Sequence, residues 1–316
     1  MKRAFVFPGQ GAQAIGMGKD LADAYPSARA VFEEVDDALG EKLSDLIWTG
    51  DIAELTLTAN AQPALMATSI ATMRALEAEG VSISAASFVA GHSLGEYSAL
   101  CAAGAIGVGD TARLLRVRGK AMQDAVPVGE GAMAAILGLD LRAVEAVAAE
   151  ARHGDVCEAA NDNDPAQVVI SGHKAAVERA ATLAKEKGAK RAMLLPVSAP
   201  FHCALMKPAA NRMVDALSEV TIAAPVVPVV TNVKAEATAD PASIRDLLIT
   251  QVTSRVRWRE SVQWMSAQGV TRFFELGSGK ALSGMIRRIA KEAEAAAVNR
   301  PVDVKSVATK IGETHV

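Results

Sequence analysis

Short apolar runs alternate with longer stretches of helical periodicity along most of the chain. Residues 4–7 and 87–90 are predicted to be buried strands, because each is a compact apolar run that ends at glycine or proline. Between them, apolar positions recur at helical spacing over residues 21–39, interrupted by one proline, and over 64–79, where Pro63 suits a first helical turn. Strands that alternate with helices predict a mostly parallel sheet covered on both faces.

A different pattern occupies residues 128–196. Two predicted helices alternate with four predicted strands in the order βαββαβ, which is typical of a ferredoxin-like unit. The helices are predicted at 141–151 and 174–187, and the strands at 132–137, 156–160, 167–170 and 192–195. Residues 161–165 are rich in Asn, Asp and Pro and are predicted to form the turn between the second and third strands. We therefore predict a ferredoxin-like subdomain at 128–196, inserted into an α/β domain made of residues 1–127 and 197–316.

The main domain is predicted to resume after the insert. Its elements are predicted as helices at 208–217, 243–251 and 258–267 and strands at 226–231 and 272–275. From about residue 302 the periodicity is too weak to assign, so we expect a short strand followed by a frayed tail.

Composition narrows the class of protein. Half of the 316 residues are apolar and the formal net charge is −3, so the chain can bury a large core and has no basic excess for nucleic acid. The aromatic fraction of 4% also argues against a base-stacking surface. Cys101, Cys157 and Cys203 form no CxxC pair, so we expect neither a disulfide framework nor a metal site.

No segment resembles a membrane anchor or a secretion signal. The sequence contains no run of about 20 uncharged apolar residues, which a membrane span requires. Its first three residues lead directly into the first predicted strand rather than into a signal-peptide apolar region. We therefore expect no membrane association and a cytoplasmic location.

The strongest chemical motif is the GxSxG sequence at residues 91–95. It follows a predicted strand and precedes a helical run at 96–103, which is the context of a nucleophile elbow. Its glycines permit a sharp turn, so the Ser93 hydroxyl would be exposed at a helix N-terminus that favours developing negative charge. The alternative is an ordinary turn whose serine only caps the helix. The agreement of strand, turn and helix favours a nucleophile.

A serine nucleophile requires a base, and the chain has five histidines. They are His92, His153, His173, His202 and His315. His92 adjoins the serine on a sharp turn, where neighbouring side chains diverge, and two others lie in the predicted insert. His202 is the best candidate, because it lies in a proline-bounded loop between a strand and a helix. By elimination alone, a structural role for His202 is equally compatible with the sequence.

Seven short segments, in this order, resemble the motif set of the malonyl-CoA:acyl carrier protein transacylases, which is shared with the acyltransferase domains of polyketide and fatty acid synthases. They are FPGQG at 7–11, QPA at 62–64, GHSLGE at 91–96, RGKAMQ at 118–123, the segment 161–170, PFH at 200–202 and ELG at 275–277. The resemblance implies a hydrolase-like α/β domain with a ferredoxin-like insert. It implies that a malonyl group moves from malonyl-CoA to the phosphopantetheine thiol of an acyl carrier protein, without any cofactor.

The resemblance also assigns catalytic roles by position. It implies that Ser93 is the nucleophile and His202 its base, and that the backbone N–H groups of Gln10 and Leu94 form the oxyanion hole. It implies that a carbonyl of Gln251 orients the histidine, in the place of the usual carboxylate.

Substrate recognition is implied at five further positions. Two alternating helical arginines, Arg116 and Arg118, point to different faces, and both could be solvated surface residues. The resemblance selects Arg118 to bind the malonyl carboxylate and leaves Arg116 on the surface. It implies that Gln62 positions Arg118, and that Phe201 limits the acyl group to a small size. Two residues receive lesser roles: Met122 beside the acyl pocket, although a helical methionine is more often core, and Asn163 in the cleft wall, although an asparagine there is most simply a turn former.

An acidic carrier protein is expected to dock on basic side chains near the cleft. The candidates are Lys190, Arg191, Arg287 and Arg288, although such charge pairs are usually only solvated surface. We expect the protein to be a monomer. The competing interpretations are a serine esterase or thioesterase that uses the same elbow, and a catalytically idle module that only binds carrier protein.

Overall fold

The computed structural model describes residues 2–197 and 199–312, which form two separate β-sheets and the helices that pack on them. The strands are β1 Lys2–Phe7, β2 Phe88–Gly91, β3 Gly131–Leu137, β4 Cys157–Asp164, β5 Gln167–His173, β6 Arg191–Leu194, β7 Val229–Val230, β8 Ala237–Thr238, β9 Val270–Leu276 and β10 Glu294–Val298. The helices are α1 Lys19–Ala24, α2 Pro26–Leu39, α3 Leu43–Thr49, α4 Ile52–Thr56, α5 Thr58–Ala78, α6 Leu94–Ala102, α7 Val108–Asp124, α8 Leu141–Ala151, α9 Lys174–Glu186, α10 Lys207–Ser218, α11 Pro241–Gln251, α12 Trp258–Ala267, α13 Ala281–Ile289 and α14 Pro301–Gly312.

The larger sheet has the order β10-β9-β1-β2-β7-β8 and is parallel except at β8. Its central strand β1 is buried over Arg3–Phe7, as a strand covered on both faces requires. Phe7 pairs with Gly91, so the carboxyl ends of β1 and β2 lie side by side. The segments 7–11 and 91–96 therefore leave the sheet at the same edge, which is where α/β folds place their sites. A mixed α/β fold with a mostly parallel sheet is confirmed.

The smaller sheet is antiparallel and has the order β4-β5-β3-β6. Its elements follow one another as β3-α8-β4-β5-α9-β6, in the predicted βαββαβ order. Helix α8 begins after Asp140, whose carboxylate accepts the N–H of Ala143 at 2.8 Å. Helices α8 and α9 share a core with this sheet that is separate from the cores of the larger sheet. All four strands lie within residues 131–194; the exact ends of the insert, 128 and 196, stay a prediction.

The predicted turn at residues 161–165 is wrong, because β4 continues to Asp164 through two irregularities in its pairing with β5. The polar side chains that favour a turn are instead buried against the larger domain. Asp162 N–H donates to the Val256 carbonyl at 2.9 Å, and the Asp162 carboxylate pairs with Arg259 at 2.8 Å. Asp164 pairs with Arg288 at 2.8 Å. The end of β4, residues 161–164, thus connects the smaller sheet to helices α12 and α13 of the larger domain, and we refer to it as the strap.

Helix α5 begins at Thr58 rather than near residue 64, so Pro63 lies inside the helix and not in its first turn. The turn before the proline is held by close packing against α7. A Cβ atom on Gly119 would lie 2.6 Å from the Thr58 carbonyl oxygen, so only glycine permits this approach. The early start matters for the site because Gln62 lies on this extension.

Two boundaries in the last hundred residues also differ from the prediction. The strand expected at 226–231 is reduced to β7, since Pro228 removes a backbone donor and Val226 N–H donates to Ala103 instead. The strand expected after residue 302 is helix α14, which buries Val304, Val307 and Ile311 at helical spacing. Strand β10 just before it was not predicted. Residues 313–316, including His315, and Ser198 lie outside the described residues.

Within residues 2–197 and 199–312, none of the helices combines the length and the apolar character that crossing a bilayer requires.

Candidate active site

Ser93 lies on a strained turn between β2 and α6. Its backbone has φ 55° and ψ −111°, a conformation that non-glycine residues rarely adopt. The flanking glycines enforce the turn. A Cβ atom on Gly91 would lie 1.9 Å from Gly95, and one on Gly95 would lie 2.2 Å from the Phe7 carbonyl oxygen. The close packing thus presents the Ser93 hydroxyl at the carboxyl edge of the larger sheet.

Ser93 and His202 form a hydrogen-bonded pair across 109 residues of sequence. Ser93 Oγ lies 2.7 Å from His202 Nε2, and His202 Nδ1 lies 3.0 Å from the backbone carbonyl of Gln251. A carbonyl can only accept, so Nδ1 carries the proton and Nε2 is left to accept one from the serine. Burial, followed by the nearby Arg118 charge, lowers the pKa of His202 to about 3. The imidazole is therefore neutral, as a base must be.

Arg118 is buried beside the nucleophile. Its Nη1 donates to Gln62 Oε1 at 2.7 Å, and its Nη2 donates to Ser93 Oγ at 3.1 Å and to Gln251 Oε1 at 2.9 Å. The guanidinium also stacks over the Tyr97 ring, 5.6 Å from its centroid. Such a buried cation, held by neutral amides, is suited to pair with a carboxylate in the cleft.

Arg116 lies on the other face of α7. It pairs with Glu41 and donates to Asn60, both away from Ser93. The structure thus places Arg118 in the site and Arg116 outside it, but Arg116 is not a solvated surface residue, because its side chain is only 13% exposed.

Two polar residues behind the nucleophile were not predicted as site residues. Asn232 Oδ1 accepts the Ser93 N–H at 2.7 Å, and its side-chain nitrogen donates to the Gly91 carbonyl at 2.7 Å. Glu96 accepts from the Asn232 N–H at 2.9 Å and from Gln251 Nε2 at 2.8 Å. Burial raises the pKa of Glu96 to about 7. Asn232 follows a short strand and Glu96 ends the GHSLGE segment, which are the signals that could have found them.

His92 is not placed to be the base. Its Nε2 lies 2.9 Å from Asn163 Oδ1, and its ring lies 5.9 Å from the ring of Trp258. Burial lowers the pKa of His92, so this imidazole is neutral. The His92–Asn163 hydrogen bond links the elbow to β4, so Asn163 contributes a contact between the two sheets as well as part of the cleft wall.

A cleft of about 500 Å³ opens above Ser93 between the two sheets. Its floor is polar and its walls are largely apolar, with Met133 and Val169 contributed by the smaller sheet. The predicted site residues on its surface are Gln10, Gln62, Ser93, Leu94, Arg118, Met122, Asn163, Phe201 and His202. Leu94 follows Ser93 directly in the chain and Gln10 lines the same cleft, but their oxyanion role stays a prediction. Met122 is buried and accepts a contact from Gln62 Nε2 at 3.7 Å.

The four predicted docking residues are exposed but do not line the cleft. Lys190 and Arg191 lie at the start of β6, whose chain continues to the cleft residue Leu195. Arg287 donates to the Ala295 carbonyl at 2.7 Å, and Arg288 holds buried Asp164. The second pair thus has structural partners, which the sequence did not reveal.

Neither a reactive thiol nor a cluster of metal ligands occurs among residues 2–197 and 199–312. Burial raises the pKa of Cys101 to about 12 and that of Cys157 and Cys203 to about 11, so these thiols are poor nucleophiles. No group of three or more potential metal ligands occurs in this part of the chain.

Comparison with known proteins agrees with this geometry. The family model described as acyl transferase domain matches residues 4–302. The malonyl CoA-acyl carrier protein transacylase of Bacillus subtilis (strain 168) is 48% identical over 305 residues, which cover 96% of this chain and 95% of the relative. The crystal structure of an acyl-carrier-protein-S-malonyltransferase from Bartonella henselae superposes with a TM-score of 0.97 at 56% identity, covering 99% of this chain and 100% of the other.

A third relative was solved with its partner. This malonyl-transacylase, in complex with a type II polyketide synthase acyl carrier protein, is 43% identical with a TM-score of 0.95, covering 98% of this chain and 100% of the other. Matches of this identity and coverage identify the family. The chain therefore belongs to the acyl transferase domain family and, within it, to the malonyl CoA-acyl carrier protein transacylases.

Proposed function

We propose that this protein transfers the malonyl group of malonyl-CoA to the phosphopantetheine thiol of an acyl carrier protein, through a covalent ester on Ser93, and so supplies fatty acid synthesis. The observation that carries the proposal is the position of Arg118. A buried guanidinium lies 3.1 Å from the nucleophilic oxygen, so the site is built for an acyl group that bears its own carboxylate.

The first half-reaction loads the serine. His202 Nε2 takes the proton of the Ser93 hydroxyl while the oxygen attacks the malonyl thioester carbon. The negative charge that forms on the carbonyl oxygen is stabilised by the backbone N–H groups of Gln10 and Leu94. Collapse of the tetrahedral intermediate breaks the carbon–sulfur bond, and the departing coenzyme A thiolate takes the proton from His202.

Arg118 has donors available for the malonyl carboxylate. Its hydrogen bonds to Gln62, Gln251 and Ser93 use three of the five N–H donors of the guanidinium. Acylation turns Ser93 Oγ into an ester oxygen, which is a weaker acceptor, so the donor it occupied becomes free for the carboxylate. Phe201 and Met122 line the same cleft and limit the size of the acyl chain.

The second half-reaction reverses the first with a different thiol. His202 removes the proton from the carrier's phosphopantetheine thiol, whose sulfur attacks the malonyl-Ser93 ester. The carbon–oxygen bond breaks, and Ser93 recovers its proton from His202. Both the donor and the product are thioesters, so the exchange needs neither an energy source nor a resident cofactor.

The parallel arrangement of the larger sheet and the GHSLG elbow support a hydrolase-like main domain. The βαββαβ order and the strand order β4-β5-β3-β6 support a ferredoxin-like insert. A serine hydrolase is disfavoured because a hydrolase does not require the buried Arg118. The cytoplasmic location and the monomeric state stay predictions.

We place the carrier protein against the start of β6, the strand from which the chain continues to the cleft residue Leu195. Lys190 and Arg191 are exposed at this start, and the relative solved in complex with its acyl carrier protein supports a protein partner. Arg287 and Arg288 are weaker candidates, because both are already hydrogen-bonded within the chain.

Intact-mass spectrometry tests the proposed function directly. The purified protein is incubated with malonyl-CoA in the absence of a carrier, and then holo carrier protein is added. We expect a malonyl adduct that disappears when the carrier is added and never forms in the Ser93→Ala variant. Release of coenzyme A without an adduct would instead indicate a thioesterase, and an adduct that persists after the carrier is added would contradict the transfer step.

A further inference from the structure

A buried carboxylate, that of Glu96, lies behind the catalytic serine in the first turn of helix α6. Glu96 is 1% exposed, and only one of its oxygens, Oε2, accepts hydrogen bonds from other residues in the described part of the chain. The donors are Gln251 Nε2 at 2.8 Å and the Asn232 N–H at 2.9 Å. No step of the transfer reaction uses this carboxylate, and burying it is costly.

The first of these hydrogen bonds holds the side-chain amide of Gln251. The Gln251 side-chain nitrogen faces three acceptors: Glu96 Oε2 at 2.8 Å, the Ser93 carbonyl at 3.1 Å and Asn232 Oδ1 at 3.4 Å. Its oxygen therefore faces Arg118, whose Nη2 donates to it at 2.9 Å. A flipped amide would turn its oxygen toward the carboxylate and its nitrogen toward the guanidinium, and both contacts would be repulsive. Glu96 is the nearest of the three acceptors and the one that is a carboxylate, so it reinforces this amide orientation.

The second donor connects Glu96 to the strained elbow. The N–H that it accepts belongs to Asn232, whose side chain bonds the backbone of Ser93 and of Gly91 at 2.7 Å each. Glu96 Oε2 is therefore linked to Ser93 through Asn232 and to Arg118 through Gln251.

We propose that Glu96 is a positioning residue for acyl selection: its Oε2 fixes the side-chain amide of Gln251 and thereby holds the Arg118 guanidinium where the acyl carboxylate binds. The inference deepens the proposed function and rests on it, because Arg118 matters only if the acyl group is charged. Glu96 touches no reacting atom, so its effect must appear in the preference for malonyl over acetyl.

Two substitutions separate this role from general stability. Glu96→Gln offers an amide oxygen in the place of Oε2, so both donors keep an acceptor, whereas Glu96→Met has a similar size and no acceptor. Single-turnover acylation of Ser93 is measured for each variant with malonyl-CoA and with acetyl-CoA. We expect Glu96→Met to lower the malonyl-to-acetyl ratio by about tenfold or more, and Glu96→Gln to keep it within about threefold.

A double-mutant cycle tests the route through Gln251. Gln251→Met removes the side-chain amide but keeps the backbone carbonyl that holds His202. If Glu96 acts through this amide, Glu96→Met in that background lowers the malonyl-to-acetyl ratio no further. If instead each substitution lowers the malonyl-to-acetyl ratio and the two effects add in the double variant, the inference is overturned.

Other outcomes are equally decisive. A folded Glu96→Met protein with the wild-type malonyl-to-acetyl ratio would overturn the inference while leaving the proposed function intact. Should that variant not fold, Glu96→Asp carries the test, because it keeps the charge but withdraws the oxygen from Gln251; an unchanged ratio there would also overturn it. Failure of the wild-type protein itself to form a malonyl adduct would instead remove the proposed function, and this inference with it.

Discussion

At the scale of single residues, the chemistry of the cleft depends on how a few side chains are held. Among the residues that the structure describes, the side chains that accept hydrogen bonds from Arg118 are two glutamines and the nucleophile itself, and none of them is acidic. A cation held in this way keeps its affinity for an incoming carboxylate, because no bound carboxylate has to be displaced. Glu96 contributes a more distant charge through the Gln251 amide rather than a direct ion pair.

Replacing Arg118 by alanine should therefore change substrate choice. The variant loses charge-assisted hydrogen bonds to the malonyl carboxylate. One such bond is worth about 1.5–3 kcal/mol, so malonylation of Ser93 should slow by at least about tenfold. Acetylation should change much less. The measurement is single-turnover acylation with malonyl-CoA and acetyl-CoA.

Arg116→Ala is the matched control for this experiment. It removes the same charge two residues earlier on α7, but its partners Glu41 and Asn60 lie outside the cleft. We expect its malonyl-to-acetyl ratio to equal that of the wild type. Equal losses in both variants would mean that Arg118 acts only through the overall charge of the protein.

The pH dependence of acylation should reflect the buried state of His202. Its pKa is lowered to about 3, so the base stays neutral far below the ordinary pKa of about 6.5. The stability that the neutral imidazole contributes is complete above about pH 6.5 and is lost as the pH falls toward 3. We therefore expect the single-turnover rate to show no decline at pH 6.5 that belongs to His202.

Burial raises the pKa of Glu96 to about 7, so this carboxyl does titrate in the window, and the Glu96→Gln variant identifies its contribution. If the single-turnover rate of the wild type declines as the pH falls through about 7, and that of Glu96→Gln does not, the decline is caused by protonation of the Glu96 carboxylate. A decline near pH 6.5 that survives in Glu96→Gln would contradict the expected behaviour of His202.

At the scale of elements, the sequence predicted segments whose own pattern is clear and failed where distant residues decide the structure. Helix α8 was predicted with its observed ends, because its periodicity and its Asp140 cap are both local. The end of β4 was predicted as a turn, because its polar residues have partners that lie about 100 residues away in sequence. The start of α5 was missed for a similar reason: Gly119 of another helix permits the close packing around it.

The strap at the end of β4 should contribute measurably to stability. Asp162 is fully buried, and Arg259 binds its carboxylate through Nε at 3.0 Å and Nη2 at 2.8 Å. Arg259→Met would leave the carboxylate buried without a counter-charge, which costs about 3–5 kcal/mol for a fully buried pair. Arg259 is 24% exposed, so we expect a loss of about 2–4 kcal/mol in the free energy of unfolding, measured by urea titration.

Arg300→Met provides the comparison for that measurement. The Arg300 side chain is 64% exposed in its ion pair with Asp303, so we expect its loss to change the free energy of unfolding much less than Arg259→Met does. If both variants lose the same amount, the strap between the sheets has no special energetic role.

At the scale of the whole molecule, the site forms where two sheets meet, and this limited what the sequence could indicate. Ser93 was predicted from a local motif, whereas elimination left the role of His202 open and only the resemblance to the transacylases assigned it as the base. Their pairing depends on a loop 109 residues later reaching the elbow. Asn232 and Glu96 carry no motif that marks them as a pair, since their partnership exists only once β7 lies beside β2.

Carrier docking is the property that involves the whole surface around the cleft. Charge reversal of Lys190 and Arg191 should weaken the encounter with an acidic carrier while leaving Ser93 and the cleft intact. We expect the second half-reaction to slow by about tenfold at low salt and the difference to shrink as salt is added. Malonylation by malonyl-CoA, measured on the same protein, serves as the internal control and should be unchanged.

The second basic pair, Arg287 and Arg288, requires a substitution that removes the positive charges without reversing them. Glutamate at position 288 would face buried Asp164 and destabilise the strap, so Arg287→Gln with Arg288→Gln is the informative double variant. Because both arginines already have partners within the chain, we expect it to slow carrier transfer less than reversal at Lys190 and Arg191 does. If instead the glutamine pair slows transfer more, with malonylation unchanged, the carrier protein docks beside α13. Equal slowing of both half-reactions in either variant would mean that these residues affect the cleft itself.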